Sequence, residues 1–369
     1  MRPLRIFYAS DHTPNPWFKG VQSNLWHANL YQTLAAMGHD LIAFDYDLTQ
    51  VFRNLDPAIP RQADFIRTSR PRVSAALRAQ IQAAHANSPI DLFFSYFFDA
   101  CVLPEMLDAI RDLGITTVNW YCNAAHQFHL VREISPHYDW CLVPEKFRLA
   151  DYRALGARPI YCQEAANPAV YKPYDVPRDL DVSFVGQAYG DRPAYIEHLL
   201  NNQINVRVWG HGWKIDPKFP PPPECPLWRL PESVTGGAGG GPLDDVEMIK
   251  TYSRSKINLG FSTCGETHQQ AEKGVGGGRI VQVRLRDFEV PMSGGFYMVE
   301  EMEELAEFFV PGKEIVFYRS PDDMADKIRY YLSHEDERER IRLAGHHRAL
   351  AQHTWRHRFE AAFAAMGLD

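Results

Sequence analysis

The chain has 369 residues, a length that predicts about two domains at roughly 150 residues per domain. Hydrophobic residues make up 45% of the chain and charged residues 23%, a composition that excludes a disordered protein. The 39 Lys and Arg residues against 46 Asp and Glu residues leave a formal charge of −7, which argues against binding nucleic acid or anionic lipid through the overall field. No run of 18 apolar residues occurs and the six cysteines are scattered, so a spanning helix is excluded and a cytoplasmic protein with reduced thiols is expected.

Short β-rich runs alternate with helical periods through the first half of the chain. Apolar residues recur at helical spacing between these runs, and Gly38 and Gly114 stand where helices should end. Such alternation predicts a parallel sheet covered by helices on both faces. The predicted strands are 4–9, 41–45, 92–98, 115–121, 140–143 and 159–162.

A segment with three prolines and no period, 167–177, interrupts this alternation and predicts a linker. The alternation then restarts, so we expect two Rossmann-like, doubly wound α/β domains over residues 1–166 and 178–345. The last stretch, 346–369, is helical in composition. The predicted strands after the linker are 181–185, 206–209, 256–261, 295–299 and 314–317.

Two further segments have no helical or strand period. Residues 214–242 contain four consecutive prolines and a glycine-rich run, and residues 263–279 contain a second glycine-rich run. Structureless stretches of this length are either binding loops that act as lids or plain insertions, and both interpretations stay open.

The strongest cluster of chemistry-bearing residues lies at 282–296. Arg284, Arg286, Asp287 and Glu289 immediately precede a small-residue turn that leads into a strand. Free N–H groups at a helix start together with guanidinium donors make a receptor for phosphate, and a nearby carboxylate can accept the hydroxyls of a ribose or sugar. The alternative is a solvated helix with i,i+3 ion pairs and a glycine C-cap.

This cluster also resembles a known family. The run Arg286-Asp287-Phe288-Glu289-Val290-Pro291, followed by Gly294-Gly295-Phe296, is similar to the signature of the spore maturation protein CgeB-like glycosyltransferases, a group within the GT-B fold. The resemblance covers roughly residues 181–359. Similar segments in the same order are Asp181–Gly186, Arg192, Val208–Trp213, Lys256–Leu259 and His353-Thr354-Trp355 with Arg358.

The resemblance implies two Rossmann-like domains that face each other across a cleft. The second domain would bind a nucleotide-diphosphate sugar, the first an acceptor, and the last helix would cross back onto the first domain. It implies a hexosyltransferase-like enzyme of polysaccharide or glycoconjugate biosynthesis, with the donor as co-substrate and no other cofactor. The implied donor-binding residues are Gly186, Arg192, Gly210, His211, Gly212, Asn258, Arg284, Arg286, Asp287, Phe288 and Glu289.

The chain departs from related GT-B enzymes at two places. Retaining relatives carry two glutamates seven residues apart; Glu289 matches the second, but Gln282 stands at the first. Where such relatives often have His-Asp, this chain has Cys122-Asn123, and a neutral Asn can hold a hydroxyl but cannot take its proton at pH 7. Glu289, Asn123 and His126 are the candidate catalytic residues, with retention or inversion of the anomeric configuration left open.

Candidate acceptor-binding residues follow strands of the first domain, where a doubly wound fold places ligand-facing groups. His12, Asn15 and Trp17 could meet an acceptor, Gly20 could let the backbone approach a phosphate, and Glu164 follows the last strand. A Pro-rich connecting loop and ordinary packing are the alternatives for these residues.

Transfer without a metal ion is expected, because Arg284 and Arg286 can stabilise the leaving diphosphate. Asp45 and Asp47 match the Asp-x-Asp metal motif of the other large glycosyltransferase fold, but the chain otherwise resembles GT-B, so no metal is expected there. Cys264 and His268 are spaced as possible ligands in a glycine-rich loop, without the fixed scaffold or the further ligands that zinc prefers. Two alternatives to a glycosyltransferase remain: a nucleotide-sugar epimerase on the same fold, and a non-catalytic nucleotide- or sugar-binding protein. The acceptor and the oligomeric state are left open.

Overall fold

The computed structural model describes residues 2–10, 24–213, 239–262 and 280–368. Its twelve strands in these ranges form two six-stranded sheets in which every pairing is parallel. None of the helices in the described ranges combines the length and apolarity that a bilayer crossing requires.

The first sheet has the strand order β2-β1-β3-β4-β5-β6. Its strand 92–95 is fully buried and apolar up to Phe94, as a strand covered by helices on both faces should be; the buried polar Ser95 ends it. The strands are β1 (Arg5–Ala9), β2 (Asp40–Ala43), β3 (Leu92–Ser95), β4 (Thr116–Trp120), β5 (Trp140–Val143) and β6 (Pro159–Tyr161). The helices are α1 (Gln32–Ala36), α2 (Thr49–Arg53), α3 (Pro60–Asn87), α4 (Pro104–Arg111), α5 (Ala124–Gln127) and α6 (Leu149–Ala154).

The second sheet has the order β12-β11-β10-β7-β8-β9. Its strands are β7 (Leu180–Val185), β8 (Val206–Trp209), β9 (Gly239–Gly240), β10 (Ser255–Gly260), β11 (Tyr297–Glu300) and β12 (Val316–Tyr318). The helices are α7 (Arg192–Asn201), α8 (Asp245–Arg254), α9 (Leu285–Met292), α10 (Pro321–Ser333), α11 (Glu335–Gln352) and α12 (Trp355–Met366). The predicted pair of Rossmann-like parallel-sheet domains is therefore confirmed; the two-residue strand β9 was not predicted.

The C-terminal segment divides between the two sheets. His346 Nδ1 lies 3.0 Å from the Pro291 carbonyl oxygen, so the end of α11 packs against α9. Thr354 begins α12, because its Oγ1 accepts the His357 N–H at 3.3 Å. From there the chain packs on the first sheet, where the Trp355 ring contacts the Trp120 ring edge-on at a centroid distance of 5.1 Å. The crossing therefore begins near residue 353, after the first turns of the predicted 346–369 segment.

Polar contacts also join the two halves beside the cleft. The Tyr161 hydroxyl donates to Glu304 Oε1 at 2.7 Å, and Lys146 forms an ion pair with Glu307. On another side, the Asn24 N–H donates to Asp245 Oδ2 at 3.0 Å. These contacts hold the carboxyl ends of the two sheets facing each other.

Candidate active site

Three arginines gather where β7 ends and α9 begins, and we call them the arginine cluster: Arg192, Arg284 and Arg286. The Arg192 and Arg284 guanidinium carbons lie 3.9 and 5.9 Å from the centre of the Tyr189 ring. The Arg286 guanidinium carbon lies 4.9 Å from the centre of the Phe184 ring. Two aromatic faces thus hold three positive charges together.

Among the described residues, Asp287, Glu289 and Glu164 lie within electrostatic reach of the arginine cluster. Arg192 is only 3% exposed and donates to the Gln187 carbonyl at 3.0 Å and to the Tyr189 hydroxyl at 2.8 Å. Burial, with the neighbouring charges of Arg284 and Arg286, lowers the pKa of Arg192 to about 9. Neither Arg192 nor Arg286 forms a close ion pair with a carboxylate in the part of the chain that the structure describes, although the charge of Arg286 acts on the Glu289 carboxyl. Such a cluster is suited to bind an anion.

Asp287 sets the start of α9. Its Oδ2 accepts the Arg284 N–H at 2.8 Å, and its Oδ1 accepts the Tyr297 hydroxyl at 2.5 Å. The residue is 1% exposed, and burial, opposed by these hydrogen bonds, raises the pKa of its carboxyl to about 6. Asp287 is therefore a positioning group for the arginines that flank it, rather than a ligand-facing one.

Glycines let the loops after β7 and β8 pack against the arginine cluster. A Cβ atom on Gly186 would lie 2.6 Å from Arg286 Nη2. Gly210 has φ +139°, and a Cβ there would lie 2.2 Å from the Gly186 carbonyl oxygen; Gly212 has φ +94°. Trp213 Nε1 donates to the same Gly186 oxygen at 2.7 Å. The predicted glycines therefore shape the wall beside the guanidinium groups.

The predicted His211 contributes through its backbone, because its carbonyl accepts the Ala188 N–H at 2.8 Å and joins the two loops. Its side chain is half-buried.

Two predicted donor-binding residues lie in the core instead. Asn258 is 2% exposed; its amide oxygen accepts from Ser183 Oγ at 3.2 Å and its nitrogen donates to the Tyr252 carbonyl at 3.1 Å, so it joins β7, β10 and α8. Phe288 is fully buried, with its ring 5.5 Å from that of His353. Their side chains are turned away from the cleft by this packing.

The alternative of a solvated helix at 284–289 is also wrong, because Asp287, Phe288 and Glu289 are all buried.

Glu289 is the acid of α9 that keeps an unpartnered oxygen in the described part of the chain. It is 4% exposed, and the unpartnered atom is Oε1. Burial raises the pKa of its carboxyl to about 7, against the effects of the Tyr171 hydroxyl, which hydrogen-bonds to it, and of Arg286. Tyr171 comes from the predicted linker and was missed by sequence reasoning, since nothing local marks it.

Gln282, seven residues before Glu289, is 8% exposed and its amide Oε1 atom is likewise buried without a partner in the described part of the chain. Its backbone N–H donates to the Ser262 carbonyl at 3.0 Å, which ties it to the end of β10.

The first domain contributes two buried glutamates. Glu164 follows β6 and is 7% exposed; Glu145 follows β5 and is 3% exposed. Burial raises the pKa of Glu145 to about 7. Burial also raises the pKa of Glu164 well above its usual range; the charge of Glu145 raises this pKa further, and the charge of Arg284 lowers it. Glu164 is thus a first-domain residue within electrostatic reach of the arginine cluster. Glu145 was missed, because its neighbours come from β4, β6 and α5.

The candidate residues around α5 lie next to these glutamates. The Asn123 carbonyl accepts the Gln127 N–H at 2.9 Å and begins α5, and Asn123 and His126 are both half-buried. Cys122 Sγ lies 3.5 Å from the Tyr96 hydroxyl, and burial and Glu164 raise the pKa of its thiol well above its usual range. Such a thiol is not a nucleophile at neutral pH.

Other predicted residues are placed as follows. His12, Asn15, Trp17 and Gly20 lie outside the described residues, as do Cys264 and His268. Asp47 Oδ1 accepts the Thr49 N–H at 2.9 Å at the start of α2. Within the described ranges, no three His, Cys, Asp or Glu side chains converge as metal ligands.

Comparison with known proteins finds a similar family for the second half of the chain. Residues 192–364 match the model of a family described as glycosyl transferase-like. A comparison with proteins of curated function finds no match.

Solved structures resemble the whole chain. Sucrose-phosphate synthase from Thermosynechococcus elongatus is 15% identical, with 99% of this chain and 97% of that chain covered and a TM-score of 0.60. HepE from Anabaena, in complex with UDP and glucose, is 10% identical, with 99% of each chain covered and a TM-score of 0.56. A putative UDP-N-acetylglucosamine 2-epimerase from Listeria monocytogenes is 9% identical, with 100% and 98% covered and a TM-score of 0.52. The fold is that of the GT-B glycosyltransferases; the narrower CgeB-like resemblance stays a prediction.

Proposed function

We propose that this protein is a glycosyltransferase that moves a hexose from a nucleotide-diphosphate sugar on the second domain to an acceptor on the first, without a metal ion. The observation that carries the proposal is the arginine cluster, which aromatic faces gather at the N-terminus of α9. The match to a glycosyl transferase-like family over 192–364 supports it, as does the UDP and glucose complex of HepE.

In the proposed reaction, the oxygen of an acceptor hydroxyl bonds to the anomeric carbon while the bond from that carbon to the diphosphate oxygen breaks. The hydroxyl proton passes to a base on the acceptor side, for which His126 is the candidate. The electron pair leaves on the diphosphate, where Arg284, Arg286 and the first N–H groups of α9 meet the developing charge. The unpartnered oxygen of Glu289 is placed to accept a hydroxyl of the ribose or sugar. Asn123, His126 and Glu164 provide the acceptor side of the cleft.

Calorimetry with UDP, GDP and ADP tests the donor site. A guanidinium–phosphate contact contributes roughly 1.5–3 kcal/mol, so Arg286→Ala should weaken binding of the preferred diphosphate at least about tenfold. Arg67→Ala is the matched control, because the Arg67 side chain is 76% exposed on α3. Unchanged affinity in folded Arg286→Ala protein would place the donor site elsewhere.

An assay with nucleotide sugars then separates the three candidate functions. Release of the diphosphate by hydrolysis or transfer supports a glycosyltransferase. The Listeria neighbour described as a putative epimerase has the same fold, so interconversion of nucleotide sugars without release would favour an epimerase. Binding without any turnover would favour a binding protein.

A further inference from the structure

Three glutamates at the cleft are buried. Among the residues that the structure describes, Glu145 Oε2 and Glu289 Oε1 have no hydrogen-bond partner, and the Glu164 carboxyl lies within electrostatic reach of both glutamates. The three residues are 3%, 4% and 7% exposed. Buried, unpaired carboxylates are costly, so their presence at one cleft points to a ligand that pairs with them.

The nearby cations of the first domain are directed elsewhere. The Arg148 guanidinium donates to the Ala124 and Ala125 carbonyls at 2.8 Å each and pairs with Asp151. Arg358 donates to the carbonyl oxygen of Glu164 at 3.3 Å, not to its carboxylate. Glu145 Oε1 is used by the Ala125 N–H at 3.1 Å, which leaves Oε2 for a ligand.

Donor binding would leave the three buried carboxyls with fewer cationic partners. Arg284 is the cation that opposes the charge of Glu164, and under the proposed function it would turn to the diphosphate. Burial raises the pKa of the Glu145, Glu164 and Glu289 carboxyls, so a neutral acceptor would leave them largely protonated beside the diphosphate. An ammonium group brings a positive charge and three N–H donors, and would pair with these carboxyls in their ionised form.

We propose that the acceptor carries an amino group, bound as its cation between Glu145 and Glu164. This inference rests on the proposed function, since it assigns the acceptor class of the same cleft. Glu289, on the donor side, faces the sugar. A ligand whose only polar groups are hydroxyls would bind there more weakly than its amine counterpart.

Calorimetry on the UDP-saturated protein with matched pairs of small probes tests the inference. The pairs are glucosamine with N-acetylglucosamine, galactosamine with N-acetylgalactosamine, and ethanolamine with ethylene glycol. We expect the amine of at least one pair to bind at least about tenfold more tightly than its neutral partner. Repeating the titration in buffers of different ionisation enthalpy should show proton release, because a bound cation favours the ionised carboxylates.

Variants identify the residues responsible. Glu164→Gln should abolish most of the amine preference while UDP affinity is retained, and Glu145→Gln is the second variant if the first does not fold. Glu105→Gln, at an exposed position on α4, should retain both properties.

The inference would be overturned if the two members of every pair bound equally, if the neutral members bound more tightly, or if none of the six probes bound. It would also be overturned if the amine preference survived both glutamine substitutions. Failure of the wild-type protein to bind any nucleoside diphosphate would instead contradict the proposed function.

Discussion

The guanidinium of Arg286 lies so close to Gly186 that a Cβ atom on the glycine would stand 2.6 Å from Arg286 Nη2. Gly186 follows the last residue of β7, and Arg286 lies in the first turn of α9. The two elements are about a hundred residues apart in the chain, yet their ends form one wall of the proposed donor site.

Gly186→Ala should therefore displace the Arg286 side chain and weaken binding of the preferred nucleoside diphosphate at least about tenfold, the loss expected for one charge-assisted contact. Calorimetry measures the affinity, and thermal unfolding shows whether the fold is retained, since the new methyl would also meet Phe184 Cζ at 2.7 Å. Gly241→Ala is the control, because a Cβ there meets nothing within 4 Å. Equal affinity of the two variants would show that this wall does not bind the donor.

Activity should be independent of divalent metal ions. The proposed site meets the diphosphate charge with guanidinium groups and backbone N–H groups, so EDTA should leave donor turnover unchanged within about twofold. If turnover disappears with EDTA and returns with Mg²⁺ or Mn²⁺, the metal-independent reading is wrong. Asp45 and Asp47 would then be the first residues to substitute.

Glu289→Gln should make the free energy of unfolding fall less steeply as the pH rises. Because burial raises the pKa of the folded-state carboxyl from 4.5 to about 7, the native state binds more protons than the unfolded state between these values. The contribution of Glu289 to the free energy of unfolding is therefore fully present below about pH 4.5 and is lost as the pH rises through 7, a loss on the order of 3 kcal/mol.

Urea unfolding at pH 5 and pH 8 tests this expectation. The decrease between the two pH values should be smaller in Glu289→Gln than in the wild type, while Glu145, whose pKa is also raised to about 7, titrates in both proteins. An equal decrease in the two proteins would show that Glu289 is ionised at both pH values.

Hydrogen exchange should show where the donor binds. With a saturating nucleoside diphosphate, amide protection should rise over residues 284–295, because the N–H groups of the first turn of α9 acquire partners. Peptides from α3 in the first domain serve as the internal control. If 214–242 and 263–279 both exchange identically with and without the nucleotide, the lid hypothesis for these segments should be dropped.

Much of the fold and part of the site could be predicted from the sequence. Strand–helix alternation is a local property, since burial on both faces requires continuous apolar runs such as residues 92–94. The run from Arg284 to Glu289 was recognisable for the same reason: guanidinium groups and acids next to a helix start define a phosphate receptor within a few residues.

Tertiary structure alone decided which side chains face the cleft. Asn258 lies in the core, where it accepts a hydrogen bond from Ser183, and Phe288 lies in the core against the His353 ring. Tyr171 and Glu145, in contrast, are buried beside the proposed site. The physical reason is that the side-chain direction at a strand or helix end depends on the neighbours that pack against it. Here those neighbours come from distant parts of the chain, and no local periodicity encodes them.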